Sequence, residues 1–367
     1  MMQIDVERLR SMGLTPAFSQ HAFQFAAELP TTTGTALQLM RLTEVHRETV
    51  RLHDGDHEIS ARVLARLSRT LAEQESGLAV GDWVLAATDA HAQTWVHERV
   101  PPLTSIVRRD ADGRRHPVVA NVDTALLVMG LDDDFNPRRL ERYLALVHAS
   151  GVLPVIVLTK ADVLSSEPGS LEARVAQLLC RVPSTIDVLA VDGTDPATAE
   201  RLAPYLGAGQ TLVVLGSSGA GKSTLTNTLL GAAVQDTGAV RFHDSRGKHT
   251  TTSRSLHALP GGACIIDTPG LRALRPDVDE AKLTASFEDV QSLASNCRFR
   301  DCTHHDEPGC AVREGVHADR LRNYHKLLRE SRRDTLSIFE RHQQLATWKA
   351  RGREAAVRIK LKRGEDA

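Results

Sequence analysis

The texture of apolar and polar positions changes twice along this chain. Between residue 34 and about residue 99 it consists of short runs that alternate apolar with polar, the period-two signature of half-buried strands. Five strands are predicted, at residues 35–43, 45–52, 58–64, 82–87 and 93–99. Asp54-Gly55 between the second and third predicts a tight hairpin. Gly81 ahead of Asp82-Trp83-Val84 opens the fourth. So many short strands in so little chain suit a small closed barrel, and an OB-fold is the expected form. Residues 1–30 carry only weak patterning, and the Arg/Pro-rich stretch 101–117 reads as a linker.

From Asn121 onward strand-like and helix-like segments take turns. Residues 125–129, 154–158, 186–191, 211–215 and 264–266 are continuous apolar runs, as in strands buried on both faces. Residues 137–150 and 171–180 carry helical spacing between them. That succession predicts an α/β domain with a mainly parallel sheet. Beyond about residue 276 the chain turns helical and charged, with a helix expected over 319–342. The predicted organisation is an N-terminal extension (1–30), a barrel (31–110), an α/β domain (111–275), a helical domain (276–340) and a tail (341–367).

Composition adds little until it is read locally. The 367 residues are 41% hydrophobic and 25% charged, an ordinary globular balance. No apolar window approaches the ~20 residues of a membrane span, and residues 1–10 lack the pattern of a signal peptide. A cytoplasmic protein with no membrane association is expected, taken as a monomer. The net charge of -1 conceals a basic end: residues 341–363 hold eight Lys/Arg against the single acid Glu354. Five cysteines, three of them after residue 296, argue against a secreted disulfide framework.

The candidate chemistry centres on Gly216-Ser217-Ser218-Gly219-Ala220-Gly221-Lys222-Ser223-Thr224, which comes after one predicted strand and opens a helix. This is the P-loop pattern in its proper context. Its glycines let successive amides face a phosphate chain, and the helix N-terminus adds its positive end. Lys222 would reach the β/γ-phosphates and Ser223 would hold Mg²⁺. Asp267-Thr268-Pro269-Gly270 comes after a later strand. The Asp267 carboxylate would join the Mg²⁺ shell, and the Gly270 amide would meet a γ-phosphate.

Thr159-Lys160-Ala161-Asp162, at the end of the 154–158 run, has the form of a guanine-reading element. The Asp162 carboxylate can accept from both N1–H and the N2 amine of guanine, a pair adenine does not offer. The Lys160 stem would cover the base plane. Here the base-reading element precedes the P-loop, the reverse of the usual order, so the domain is predicted to be circularly permuted. The chain beyond Gly270 is then free to run into another domain.

Gly247-Lys248-His249-Thr250-Thr251-Thr252 resembles a switch loop ordered by a γ-phosphate. Spacing does not choose among its threonines; Thr251 is taken as the Mg²⁺ ligand. Leu271 stands where many GTPases carry a glutamine that orients the attacking water. His249 is the nearest replacement by chain position, a basic-loop histidine being the alternative.

Cys297, Cys302, His304 and Cys310 form a C-x4-C-x-H-x5-C cluster, with His305 as a competing imidazole. Three thiolates and an imidazole suit tetrahedral Zn²⁺ and leave no open coordination position, so one structural zinc is predicted. Cys180 and Cys264 read as buried core.

Together these residues resemble the circularly permuted, ribosome small-subunit-dependent GTPases, the RsgA or YjeQ family. The likeness spans nearly the whole chain, including Asn121-Val122-Asp123 at the start of the α/β domain. It implies an OB-fold barrel, a permuted P-loop GTPase domain and a zinc-binding helical domain. It further implies GTP hydrolysis to GDP stimulated by the small ribosomal subunit, contacts with rRNA, and a role in late small-subunit maturation. In the family the histidine matching His249 has been considered for catalysis. Two departures stand out. Thr159 replaces the commoner Asn, which is expected to lose a tie to the P-loop and weaken nucleotide affinity. Val191-Asp192-Gly193 replaces the usual Ser-Ala element under the guanine ring. The basic tail suits rRNA phosphates. An RNA-binding assembly module with vestigial GTPase activity is the alternative reading.

Overall fold

A computed structural model of the chain describes residues 2–29, 36–109, 114–164, 169–231, 254–269, 275–278 and 280–334. The period-two runs near the N-terminus form five strands: β1 (Leu37–Val45), β2 (Val50–His53), β3 (Glu58–Val63), β4 (Trp83–Thr88) and β5 (Thr94–Arg99). They pair in the order β1-β2-β3-β5-β4, and β4 returns to β1 to close the barrel. Strands β3 and β5 run parallel, and Met2–Gln3 adds a short parallel pairing along the start of β1. A helix, Ala65–Glu73, joins β3 to β4 and buries Leu67 and Leu71. This is the OB-fold.

The strand predicted at 45–52 divides, because residues 46–49 turn, with the His46 amide donating to the Thr49 carbonyl at 2.9 Å. The Asp54-Gly55 hairpin forms as expected. Its Asp54 carboxylate accepts from the amides of Asp56 and His57 at 2.9 and 2.8 Å. The stretch 101–117 is not a linker. Ser105–Arg109 and Arg115–Ala120 are strands that pair with each other and with Arg275–Pro276. Their arginines and Pro117 mask the apolar alternation of Ile106, Val118 and Ala120. Residues before 30 are also structured. Asp5 and Thr15 cap the helices Val6–Arg10 and Pro16–Glu28, which bury Leu9, Phe18 and Ala22.

The α/β domain has β6 (Thr124–Gly130), β7 (Leu153–Thr159), β8 (Val188–Ala190), β9 (Thr211–Gly216), β10 (Ser255–Ala258) and β11 (Cys264–Asp267). Their order in the sheet is β8-β7-β6-β9-β11-β10, parallel except for β10 against β11. Side chains divide by parity. Ala125, Leu127, Ile156, Leu158, Val213, Leu215 and Ile266 join one core, whereas Leu126, Val128, Val155, Val157, Leu212, Val214 and Ile265 join another. The second core is closed by Leu225 and Leu229 of α1 (Lys222–Leu230).

The first core is continuous with the interior of the barrel, including Leu39, Leu52 and Trp83. At this joint Arg41 of β1 is 1% exposed, its guanidinium 4.8 Å from the centre of the Trp83 ring. It donates to the Asn121 carbonyl at 3.0 Å and to Thr211 Oγ1 at 3.4 Å. Burial pulls its pKa down to about 10. Gly81, at φ +92°, sits where an added Cβ would stand 2.2 Å from the Ala120 carbonyl. Barrel and sheet thus share one compact unit, Met1–Arg108 with Arg115–Pro276.

The second unit comprises Arg109–Arg114 and residues 277 onward. Its helices are Glu280–Ala285, Glu288–Ala294, Ala311–Gly315 and α2 (Ala318–Asp334). Helix α2 starts where predicted, and the part of the expected helix beyond 334 lies outside the described residues. Phe287 and Tyr324 meet edge-on at 5.2 Å, and Leu283, Val290 and Leu327 are buried in the same unit. Arg320 lies over the Phe287 ring and holds Asp289 through two bonds of 2.6 and 2.8 Å. Among the described residues no helix is long and apolar enough to cross a membrane.

Candidate functional site: a nucleotide cleft and a thiolate cluster

Sheet order fixes where a ligand can sit. From β6 the chain moves outward to β7 and β8, then crosses back to place β9 on the other side of β6. The strand order therefore reverses between β6 and β9, and ligands of open α/β sheets bind at such a point, beyond the carboxyl ends of the strands. The segments that emerge there are residues 131–136 from β6, residues 217–221 from β9, and Lys160 with its neighbours from β7.

The P-loop is packed against its surroundings. An added Cβ at Gly216 would stand 2.4 Å from the Val128 carbonyl, so β6 and β9 approach more closely than any side chain allows. Gly221, at φ +87°, caps α1 with its would-be Cβ 3.1 Å from Thr159 Oγ1. Lys222 is buried and donates back across the loop to the Ser217 carbonyl at 2.6 Å. Burial lowers its pKa, and the charges of Asp267 and Asp134 push the other way.

The Thr159-Lys160 loop is bolted to this P-loop by two bonds. Thr159 Oγ1 donates to the Ala220 carbonyl at 2.6 Å, and Lys160 Nζ donates to the Gly219 carbonyl at 2.8 Å. The tie expected to disappear with asparagine is therefore made by the threonine hydroxyl. Lys160 stands at φ +59°, a left-handed conformation costly for a long side chain and typical of functional loops. Ala161 and the exposed Asp162 begin a short helix, Ala161–Leu164, directly after it. Val191-Asp192-Gly193 adjoins this loop: Val191 accepts from the Ala161 amide at 3.3 Å, Asp192 from the amide and hydroxyl of Thr194, and Gly193 from Thr228 of α1.

Two carboxylates absent from the sequence-based site complete the cleft. Asp132 pairs with Lys160 Nζ at 2.6 Å. Asp134 accepts from Ser217 Oγ at 2.6 Å and from the Gly130 amide at 3.2 Å, and pairs with Arg139 at 2.5 Å. They fix the lysine stem and the start of the phosphate loop. Their signal was an acidic triplet, Asp132-Asp133-Asp134, at the end of an apolar strand.

Asp267 ends β11 opposite Val214. It is fully buried, and among the described residues neither oxygen makes a well-formed hydrogen bond. Burial pushes its carboxyl up to about 6, against the pull of Lys222 and the Thr268 amide. Thr268 donates to the Val214 carbonyl at 2.6 Å and so holds the Asp267-Thr268 turn against β9. An orphaned acceptor-only group beside a P-loop suits a hard cation such as Mg²⁺. His249, Thr251 and Gly270 lie outside the described residues.

In the second unit Cys297, Cys302, His304 and Cys310 place one ligand atom each within 4.8 Å of one another. The Sγ atoms of Cys297 and Cys310 are 3.9 Å apart, and His304 Nδ1 lies 3.6 and 3.5 Å from them. Zinc–ligand bonds of about 2.3 Å to sulfur and 2.0–2.1 Å to nitrogen give tetrahedral edges of ~3.8 and ~3.5 Å. The donor set fits zinc. His305 turns away: its ring stacks on His325 at 4.0 Å, and its Nδ1 meets the Thr303 carbonyl at 3.1 Å. His325 in turn contacts the His304 carbonyl at 3.2 Å, which fastens the ligand loop to α2.

The sequence profile described as RsgA GTPase matches residues 100–276. A protein named small ribosomal subunit biogenesis GTPase RsgA, from Xanthomonas oryzae pv. oryzae (strain MAFF 311018), is 46% identical over 295 residues, covering 78% of this chain and 79% of its own. The chain belongs to the RsgA GTPase family. A relative of the same name from Xanthomonas axonopodis pv. citri (strain 306) is 45% identical over 298 residues, 79% of this chain and 80% of that one. Among solved structures, YjeQ from Thermotoga maritima aligns with a TM-score of 0.56 at 22% identity, over 80% of this chain and 98% of its own. YloQ, described as a circularly permuted GTPase, aligns at 0.57 and 21% identity, over 84% and 100%. The RsgA-family fold found here, with its OB barrel and permuted GTPase sheet, agrees with both, and the enzyme is a GTP hydrolase.

Proposed function

We propose that this GTPase acts in late maturation of the small ribosomal subunit, with turnover stimulated by the subunit and with nucleotide state governing its binding to and release from rRNA. Support for the ribosomal role comes from the relatives' names and from the match of architecture. Support for guanine nucleotide comes from one observation above all. The Thr159–Ala220 and Lys160–Gly219 bonds hold the base-reading loop against the phosphate loop across the switch point of the sheet.

In this reading Lys222 and the amides of Gly216, Ser217, Ser218, Gly219, Ala220, Gly221, Ser223 and Thr224 bind phosphates. Asp162 selects guanine beside Thr159, Lys160 and Ala161, and the Gly270 amide meets the γ-phosphate. Ser223, Thr251 and Asp267 would hold Mg²⁺, which supplies charge neutralisation for the β- and γ-phosphates. His249 orients the attacking water. Cys297, Cys302, His304 and Cys310 would hold one structural zinc. We take the division at residues 30, 110, 275 and 340 as the functional one, with a monomer acting in the cytoplasm.

The deciding experiment measures GTP and ATP hydrolysis with and without purified small subunits. GTP turnover is expected to rise at least ten-fold on adding subunits while ATP turnover stays at background. Turnover indifferent to subunits, with RNA binding that survives Lys222→Ala, favours the assembly module with vestigial activity. Asp162→Asn is expected to raise the Kd for GDP by at least 100-fold; unchanged selectivity in that variant removes the guanine assignment.

A further inference from the structure

The first turn of the P-loop carries a side chain that phosphate binding by backbone amides does not use. The Ser217 carbonyl accepts from Lys222 Nζ at 2.6 Å. Its hydroxyl donates to Asp134 Oδ1, also at 2.6 Å. Asp134 stands 83 residues earlier, in the loop that leaves β6. Lys222 and Asp134 therefore grip the same residue, one by its carbonyl and the other by its hydroxyl.

Asp134 is itself fixed. Its carboxylate accepts from the Gly130 amide at 3.2 Å and pairs with Arg139 at 2.5 Å, and its side chain is only 14% exposed. The Asp134 amide donates to Asp132 Oδ1 at 3.2 Å, while Asp132 Oδ2 holds Lys160 at 2.6 Å. An added Cβ at Gly130 would stand 2.4 Å from Asp132 Oδ1, so the acidic loop folds tightly back on the end of β6. Arg139 is pinned in the first turn of the helix Pro137–Ala149, its amide donating to Asn136 Oδ1 at 3.1 Å. A continuous run of bonds joins Lys160 to Lys222 through Asp132, Asp134 and Ser217.

Stability alone accounts poorly for this arrangement. A mostly buried ion pair is costly to desolvate, and apolar residues of similar volume often serve the fold as well or better. What the carboxylate supplies is direction. A hydrogen bond to an ionised acceptor is roughly twice as strong as a neutral one, and here it opposes rotation of the Ser217 peptide. Such a rotation would carry the Ser217 carbonyl away from Lys222.

We propose that Asp134 is a positioning residue for phosphoryl transfer, acting through the Ser217 hydroxyl to hold the carbonyl that aligns Lys222 with the β- and γ-phosphates. Charge is redistributed over the phosphate oxygens in the transition state, so alignment of the ammonium matters more for turnover than for binding. Ground-state binding falls largely to the loop amides, which Asp134 does not supply. A displacement of about 1 Å at such a group can cost about 100-fold in rate.

This inference rests on the reading of Lys222 as the phosphate-binding lysine. The test measures kcat and KM for GTP in the full chain, with and without small subunits. GDP-binding stoichiometry and circular dichroism check that each variant is folded. Ser217→Ala and Asp134→Asn are each expected to lower kcat about ten-fold or more, with KM within about three-fold of wild type. Ser217→Thr keeps the hydroxyl and should stay within about three-fold of wild-type kcat. Because both groups act through one bond, Ser217→Ala/Asp134→Asn should fall no more than about three-fold below the slower single variant. Losses that multiply in the double variant overturn the proposal. So does a raised KM at unchanged kcat, or a Ser217→Thr variant as slow as Ser217→Ala. Should Asp134→Asn fail to fold, the two Ser217 variants decide the matter. Lys222→Ala with wild-type GDP affinity and turnover removes the lysine assignment and the inference with it. Loss in Lys222→Ala, with wild-type rates in Ser217→Ala and Asp134→Asn, overturns the inference alone.

Discussion

The hydroxyl of Thr159 donates to the carbonyl of Ala220 at 2.6 Å, with both residues almost fully buried. A base-reading loop and a phosphate loop that meet through one buried bond should respond together when it is cut. Thr159→Val keeps the shape and removes the donor, leaving the Ala220 carbonyl without its partner. A loss of about 1.4 kcal/mol, roughly ten-fold in the Kd for GDP, is expected. Titration with a fluorescent GDP checks this, and an unchanged Kd would sever the two loops energetically.

Asp267 connects stability with function through its protonation. Its carboxyl is pushed up to about 6 in the folded chain, against 3.8 for an ordinary aspartate. Between those values the folded, nucleotide-free chain binds a proton that the unfolded chain has released. Stability from this group is therefore lost as pH rises from about 4 to about 6, and the ionised form is a cost above that window. Asp267→Asn should raise the melting temperature of the nucleotide-free chain at pH 7.5, with a gain that shrinks toward pH 4. The same change should lower Mg²⁺-dependent GTP turnover by at least 100-fold. A variant that melts lower than wild type at pH 7.5 contradicts the assignment of this carboxylate.

The Cys/His cluster lies in a unit whose own apolar core is small, built around Phe287, Val290, Tyr324 and Leu327. Chelation or Cys310→Ser should release one zinc per chain and unfold the helices after residue 277, because metal binding and folding of such small units are one equilibrium. Far-UV circular dichroism with a colorimetric zinc assay reads both effects. Retained helicity after complete zinc loss would show that the apolar core around Phe287 suffices.

Arg41 is a buried cation that binds the barrel to the sheet. Arg41→Met keeps the aliphatic bulk but strands the Asn121 carbonyl and removes the positive charge near Asp82, whose own pKa burial raises to about 6. The variant should lose about 3 kcal/mol in urea unfolding. The double variant Arg41→Met/Asp82→Asn should recover part of that loss. Additive losses from the two single changes would mean that the groups do not interact.

The sheet strands, the P-loop and the ligand cysteines were legible in the sequence because each imposes a local signature: a continuous apolar run, a glycine spacing, a pair of close thiols. The strands at 105–109 and 115–120 were not, since Arg108, Arg109 and Arg115 interrupt the apolar pattern within a small three-stranded sheet. The helices before residue 30 bury one narrow stripe against the barrel, and so short a stripe gives little periodicity. Asp132 and Asp134 escaped for another reason. Their role comes from a partner 28 residues away in one case and 83 in the other, and no local pattern records such a meeting. The Thr159 hydroxyl's bond to Ala220 is of the same kind, since its reach across 61 residues appears only in three dimensions.

Strand β9 ends in the phosphate loop, but it begins at Thr211, whose hydroxyl faces the Arg41 guanidinium and whose amide donates to Asp123 at 2.7 Å. Its six residues make a rod of about 20 Å, clamped at one end by the barrel and ending at the other in the loop proposed to bind phosphates. A load on the barrel travels along that rod without crossing a hinge. Whatever grips the barrel also has a handle on the P-loop.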